Sequence, residues 1–153
     1  MKIFIDADSC PAMVRDHVIN YSNKLQIPLI FAANREIKKK ENQIFTMVIL
    51  DNGKDAADNY IFNECTQKDL VITRDILFAD RLVEKGVTAI NDRGTAFTKD
   101  NIKELKSERD FDLQLVEMGL SSHPKGNGYD KSNFSKFANC FDRTIHQLLE
   151  TNQ

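Results

Sequence analysis

The stretch Lys2-Ile3-Phe4-Ile5-Asp6-Ala7-Asp8-Ser9-Cys10-Pro11 decides how the rest of the chain is read. Ile3, Phe4 and Ile5 form a short apolar run, as expected of a central strand buried on both faces. Two carboxylates follow, Asp6 and Asp8. Pro11 then supplies the fixed φ that suits the first turn of a helix. The order is strand, acidic turn, helix. If the backbone stays extended, Asp6 and Asp8 fall on one side, about 7 Å apart at ~3.3 Å per residue. Like charges at that spacing repel unless a cation sits beside them. A divalent ion held by oxygen alone, Mg²⁺ or Mn²⁺, is the simplest such cation. The same residues also have a plainer use, with Asp6 ending the strand and Asp8 or Ser9 capping the helix.

Outward from this stretch, apolar periodicity sets the elements. Met13, Val14, Val18, Tyr21 and Leu25 recur at helical spacing, predicting a helix from Pro11 to about Leu25. Pro28 to Ala33 reads as a second buried strand, which completes a βαβ unit with parallel strands and a right-handed crossover. Asn34 to Gln43 is polar and carries Lys38-Lys39-Lys40, either a solvated loop or a basic patch for nucleic acid. A third strand is expected over Phe45–Leu50, a turn over Asp51–Lys54, and a helix from Asp55 to about Thr66. Leu70–Thr73 is a fourth strand, followed by a helix to Lys85 that Gly86 stops. Val87–Ile90 is a fifth strand, leading into the turn Asn91-Asp92-Arg93-Gly94. Thr98 caps a long charged helix that ends near Met118. Leu120 to Lys131, with Pro124, Gly126 and Gly128, reads as a loop. A last helix over 132–150 carries Phe134, Phe137, Ala138, Phe141, Ile145, Leu148 and Leu149 toward the body. Strands alternating with helices predict a three-layer α/β/α domain over 1–153, with a mostly parallel sheet of about five strands.

The 153 residues suffice for a sizeable core. A formal net charge of -2 removes any global basic field, which argues against a DNA-coating protein. It leaves room for an enzyme acting on phosphodiesters, because a metal supplies positive charge locally. No apolar run reaches the length of a membrane span. The N-terminus enters a charged strand within a few residues, so no signal peptide is expected. Cys10, Cys65 and Cys140 are scattered and odd in number, with no zinc spacing. A reducing cytoplasm is the expected compartment.

In sheets of this type, sites form beyond the carboxyl ends of the strands, where the chain order reverses. Three segments deliver acids there: Asp6 and Asp8 after the first strand, Asp55 and Asp58 one helical turn apart, and Asp75 after the fourth strand. Asp80 lies further along the same helix as Asp75. Each has an ordinary explanation, since Asp55 and Asp75 stand where helix caps stand, and Asp80 is a helix-surface acid. Gathered together, three or four carboxylates are costly without a cation.

These segments resemble the YaiI/YqxD family, also called UPF0178 or DUF188, a group related to PIN-like nuclease domains. The resemblance is carried by Ile5-Asp6-Ala7-Asp8-Ser9-Cys10-Pro11, Ala32-Ala33-Asn34, Asp55-Ala56-Ala57-Asp58-Asn59-Tyr60-Ile61, Asp69-Leu70-Val71-Ile72-Thr73-Arg74-Asp75, Asn91-Asp92-Arg93-Gly94 and Phe137-Ala138-Asn139-Cys140-Phe141-Asp142-Arg143. It implies a PIN-like fold and a metal-dependent nuclease that hydrolyses RNA. Asp6, Asp58 and Asp75 match the acids of the PIN-like pattern, with Asp8 as a further ligand and Asp80 as an addition. They would hold one or two Mg²⁺ or Mn²⁺ ions. Thr73 would orient a carboxylate or a water, and Arg93 and Lys39 would contact the substrate. A homodimer is the assembly the resemblance suggests. Arg74, Leu77 and Asp92 depart from the family's usual residues, and Arg74 is placed to pair with a nearby acid.

Three other readings compete. Asp6-Ala7-Asp8 is similar to the nucleophile motif of haloacid-dehalogenase-type phosphatases, with Asp6 attacking phosphorus and Asp8 as acid and base. Cys10, near a helix N-terminus, would there have a lowered pKa and act as a nucleophile, or be a small residue in a tight turn. A non-catalytic domain would bind RNA or protein through Lys38, Lys39, Lys40, Lys125 and Lys131. His17, His123 and His146 are isolated in sequence and read as structural or solvated.

Overall fold

The structure, a computed structural model, describes residues 1–8, 10–51, 53, 55–120 and 128–152. Ser9, Asn52, Lys54, His123, Pro124, Lys125 and Gly126 lie outside the described residues. The strands are β1 (Ile3–Asp6), β2 (Leu29–Ala33), β3 (Thr46–Ile49), β4 (Leu70–Ile72) and β5 (Thr88–Ile90). The helices are α1 (Ala12–Leu25), α2 (Ala56–Glu64), α3 (Ile76–Lys85), α4 (Lys99–Glu117) and α5 (Lys131–Thr151). The strands form one sheet in the order β3-β2-β1-β4-β5. Every pairing is parallel, with Ile5 opposite Phe31 on one side and Ile72 on the other.

β1 is central because Ile3, Phe4 and Ile5 are all apolar and all buried. Alternation along the strands divides the core between two faces. Ile3, Ile5, Phe31, Leu70 and Ile72 pack against α1 and α5. Phe4, Ala32, Val71 and Ala89 pack against α2, α3 and the start of α4. The expected α/β/α layering is what the chain adopts. From β1 the chain builds outward through β2 to β3, then crosses to β4 and β5 on the other side. The order therefore reverses between β1 and β4, so the carboxyl ends of those two strands flank the crevice where such sheets bind ligands.

Local chemistry fixes the boundaries. Gln26 ends α1 in the left-handed region, its N–H returning to the Ser22 and Asn23 carbonyls. Asp75 caps α3, and Gly86 closes it at φ 85°. Thr98 and Asn101 form a reciprocal capping box at the start of α4. Asp130 caps α5 by accepting from the Asn133 N–H, so this helix begins slightly earlier than expected. Phe137, Phe141, Ile145 and Leu148 then bury its inner face.

Two local expectations are corrected. Extended backbone ends at Asp6, so Asp8 lies in a turn and the strand spacing does not relate the two acids. The N-cap of α1 is Pro11, with no side-chain cap bond, so Asp8 does not cap that helix. His17, isolated in sequence, has the structural role expected of it. It sits edge-on among Phe134, Phe137 and Phe141, with Nε2 3.4 Å from the Asp142 carboxylate. His146 Nε2 is 3.3 Å from the Tyr21 hydroxyl. Among the described residues no helix is long and apolar enough to cross a membrane.

Candidate metal centre at the carboxyl edge of the sheet

Beyond β1 and β4, a cavity of about 260 Å³ is lined by Asp6, Asp8, Asp55, Asp58, Arg74 and Asp75. Three elements deliver these acids. Asp6 is the last residue of β1, Asp55 stands at the N-cap of α2 with Asp58 in its first turn, and Asp75 is the N-cap of α3. One carboxylate oxygen from each of Asp55, Asp58 and Asp75 lies within 4.8 Å of the others. Asp6 joins this trio through Asp58, whose carboxyl is within hydrogen-bonding reach.

Each acid is held by its surroundings. Thr73, buried just after β4, donates its hydroxyl to Asp6 Oδ2 at 3.4 Å and accepts the Asp75 N–H at 3.1 Å. One side chain thus sets the spacing of two acids from different elements. Asp75 Oδ1 accepts from the Leu77 and Phe78 N–H groups at 3.0 and 3.2 Å. Capping and cluster membership are compatible here, because an ionised carboxylate has several acceptor positions. Asp55 occupies the N-cap position of α2 without a side-chain cap bond, at φ 74°. A non-glycine residue in that region is uncommon, although aspartate tolerates it better than most. Asp8 is exposed, and its Oδ1 accepts the Asn34 N–H at 2.9 Å, tying the turn after β1 to the end of β2.

The electrostatics are those of acids crowded together. Burial pushes Asp58 up to about 7, with the Asp6 and Asp75 charges adding to the shift. Burial also raises Asp6, opposed by hydrogen bonds from Asp58 and Thr73 and reinforced by Asp8 and Asp75. Asp58 therefore holds a proton shared with the Asp6 carboxylate below about pH 7. Strongly shifted acids in a cleft mark a functional-site candidate with a physical cause. The donors are all hard oxygens, so the residues present fit a Mg²⁺- or Mn²⁺-class ion and not a thiolate-seeking one. Asp58, Asp75 and Asp55 are placed to hold such an ion, with Asp6 behind them.

Other residues singled out in the sequence have partners of their own. Arg74 turns its guanidinium to the buried Asp92, with Nε 3.1 Å from Oδ2 and Nη2 on the same oxygen. The concern that Arg74 pairs with an acid is realised, but that acid is outside the cluster. Asp80 is bridged to Lys106 of α4 at 3.0 Å and is not in the site. Thr73 is buried, and its hydroxyl orients Asp6 and Asp75 from inside the protein. Arg93 is exposed on the turn after β5 and does not line the acid cavity. Lys39 stacks on Phe45, 5.1 Å from the ring centroid, and Phe45 precedes β3 at the opposite edge of the sheet. Lys40 lies 3.9 Å from Asp16 of α1. Cys10 is half-buried, and burial together with Asp92 pushes its thiol up to about 12. That is the reverse of an activated nucleophile. Asp55, absent from the resemblance's ligand set and also readable as a helix cap, joins the trio. Its three-residue spacing from Asp58 was the available signal.

Comparison with known proteins places the chain. A family model described as "Uncharacterized BCR, YaiI/YqxD family" matches residues 4–147. A "UPF0178 protein" of Treponema denticola is 43% identical over 150 residues, covering 98% of this chain and 95% of that one. Its counterparts in Trichlorobacter lovleyi and Psychromonas ingrahamii are 35% and 37% identical, over 97% and 99% of this chain and 96% and 99% of theirs. No solved structure matches. The chain belongs to the YaiI/YqxD family.

Proposed function

We propose that this member of the YaiI/YqxD family is a divalent-metal-dependent phosphodiesterase that hydrolyses RNA. The observation that carries the proposal is the convergence of Asp55, Asp58 and Asp75 within 4.8 Å, beside a proton-sharing Asp6, at the reversal of strand order. Carboxylates gathered this way repel one another unless a cation offsets them. A bound Mg²⁺ or Mn²⁺ would lower the pKa of a coordinated water and offset charge on a phosphate undergoing displacement. The chain's own part is positioning. Thr73 fixes Asp6 relative to Asp75, and the N–H groups at the start of α3 orient Asp75. Asp58 would have to be ionised to serve as a ligand, releasing the proton it shares with Asp6. RNA as the substrate rests on the PIN-like resemblance.

A phosphatase using Asp6 as nucleophile is less well supported. That role needs an open, ionised carboxylate, whereas Asp6 is desolvated, raised, and bonded to Thr73 and Asp58.

The test is a thermal melt with and without Mn²⁺, followed by an RNA cleavage assay. A ligand that binds only the folded state at a hundredfold excess over its dissociation constant stabilises by roughly 2.7 kcal/mol. That corresponds to a rise of roughly 5–10 °C for a chain of this size. Wild type should show it and Asp75→Asn should not. The asparagine oxygen still accepts the Leu77 and Phe78 N–H groups, so the helix cap survives and only the charge is lost. No response in wild type at millimolar Mn²⁺ would sink the metal centre. A response without RNA cleavage would favour a binding domain.

A further inference from the structure

The acid cavity continues into two others. Asp8 lines it and also lines a middle cavity of about 330 Å³, whose walls are Ala33, Asn34, Leu50, Ala56 and Ala57. Asp8 and Ala33 in turn line a third cavity of about 620 Å³. This one is different in kind. Arg15, Arg35 and Lys38 surround it against a single further acid, Glu36. Arg15 reaches across from α1, its Nη1 donating to the Cys10 carbonyl at 2.7 Å. That bond pins the guanidinium near the turn that also carries Asp8. Arg35 and Lys38 come from the segment after β2, whose first residue, Asn34, holds Asp8 through its backbone. In a chain of net charge -2, three cations gathered at one end of a trough are a local feature and not an overall field.

The linings along the trough run from acidic to predominantly basic, with Asp8 the one charged side chain of the middle cavity. A phosphodiester chain has a matching pattern, with anionic phosphates separated by a sugar and a base. We propose that Arg15, Arg35 and Lys38 bind a phosphate flanking the scissile one, with the intervening nucleotide in the middle cavity. This deepens the phosphodiesterase reading, on which it rests, by naming the substrate as single-stranded. The reason is the middle cavity. A base can enter a cleft walled by Ala33, Leu50, Ala56 and the Asn34 amide only when it is unstacked and unpaired. A duplex holds its bases inside. Lys38 and Arg35 are exposed, so replacing them leaves the core intact.

The experiment measures binding of a fluorescent oligouridylate and of a duplex, by anisotropy over a salt series, without added metal. Arg35→Ala with Lys38→Ala should weaken oligouridylate binding by about tenfold or more. The slope of log K against log salt should become shallower by about 0.7, the value expected for the one single-strand phosphate that the protein no longer neutralises. The Mn²⁺ melting response of the double variant should equal that of wild type. Equal affinity and slope in the two proteins would overturn the proposal, as would wild type failing to bind oligouridylate at low salt. Duplex binding as tight as the single strand would overturn it too. A chain that binds oligouridylate through these residues but gives no Mn²⁺ response would leave the basic subsite standing and remove the metal centre.

Discussion

At the scale of single residues, Asp58 is the informative one. It is 7% exposed and faces three other acids, so its charged form is disfavoured and its pKa rises to about 7. The unfolded value is that of an ordinary aspartate, near 3.8. A raised folded-state pKa means that the folded protein binds the proton more tightly than the unfolded chain. The stability it confers is complete below about pH 4 and is lost as the pH climbs through about 7. Asp6 is shifted in the same direction and adds to the effect. In chelator, the melting temperature should therefore fall between pH 5 and pH 8, on the order of 5 °C. Asp58→Asn should flatten that fall, because an amide neither titrates nor repels its neighbours. A flat wild-type profile in chelator would mean that the carboxylates are not crowded as described. Asp58 and Asp75 could be picked out from their places in the sequence. What Asp8 does could not, since its partner is the backbone of Asn34, twenty-six residues away. The charge state of Asp58 likewise depends on burial between α2 and β1, which no local pattern carries.

Elements are where the sequence was most legible. Apolar runs of three to six residues between helical periods fix five strands and five helices in order, because each element must bury one face or both. Turns were less legible, since their geometry depends on what packs over them. Gly94 is an example. It lies at φ 88°, and a Cβ there would sit 2.6 Å from the Lys136 carbonyl oxygen of α5. The turn after β5 thus rests directly on the helix backbone. Gly119, at φ 72°, has nothing within 4 Å of the same position. Both glycines carry the conformational cost of an L-residue at positive φ, about 1–2 kcal/mol. Only Gly94→Ala adds a backbone collision. Urea midpoints should place Gly94→Ala at least ~1 kcal/mol below Gly119→Ala in stability, since overpacking of this kind typically costs 1–3 kcal/mol. Equal midpoints would mean that the turn and α5 do not touch in solution. Arg74 belongs to the same corner. Its partner Asp92 is buried while Arg74 itself is half-exposed, so Arg74→Ala should cost about 1–3 kcal/mol, the loss expected when a buried acceptor loses its donor.

For the molecule as a whole, the sheet and its two helical layers account for every element but the second half of α4. Ile102 is buried and Leu105 packs beside it on α3, and Lys106 bridges to Asp80. From Glu108 to Glu117 every residue is exposed or half-exposed, including Phe111 and Leu113, and Met118 just beyond is exposed as well. The charged pattern of this segment predicted a helix and not what the helix would lack. Periodicity reports a helix's own faces, whereas coverage depends on what the fold places opposite them. A ten-residue helical stretch without tertiary support is marginal in water, so its backbone hydrogen bonds should open locally without unfolding the sheet. Amide exchange in dilute protein should be at least ~100-fold faster over 109–117 than over 102–106, following the general link between sparse burial and low local stability. Protection of 109–117 that rises with protein concentration would place a second copy over Phe111 and Met118, giving the homodimer suggested by the family resemblance a defined surface. Protection that is strong at every concentration would contradict the local-opening argument, because the helix would then be held by the single chain alone.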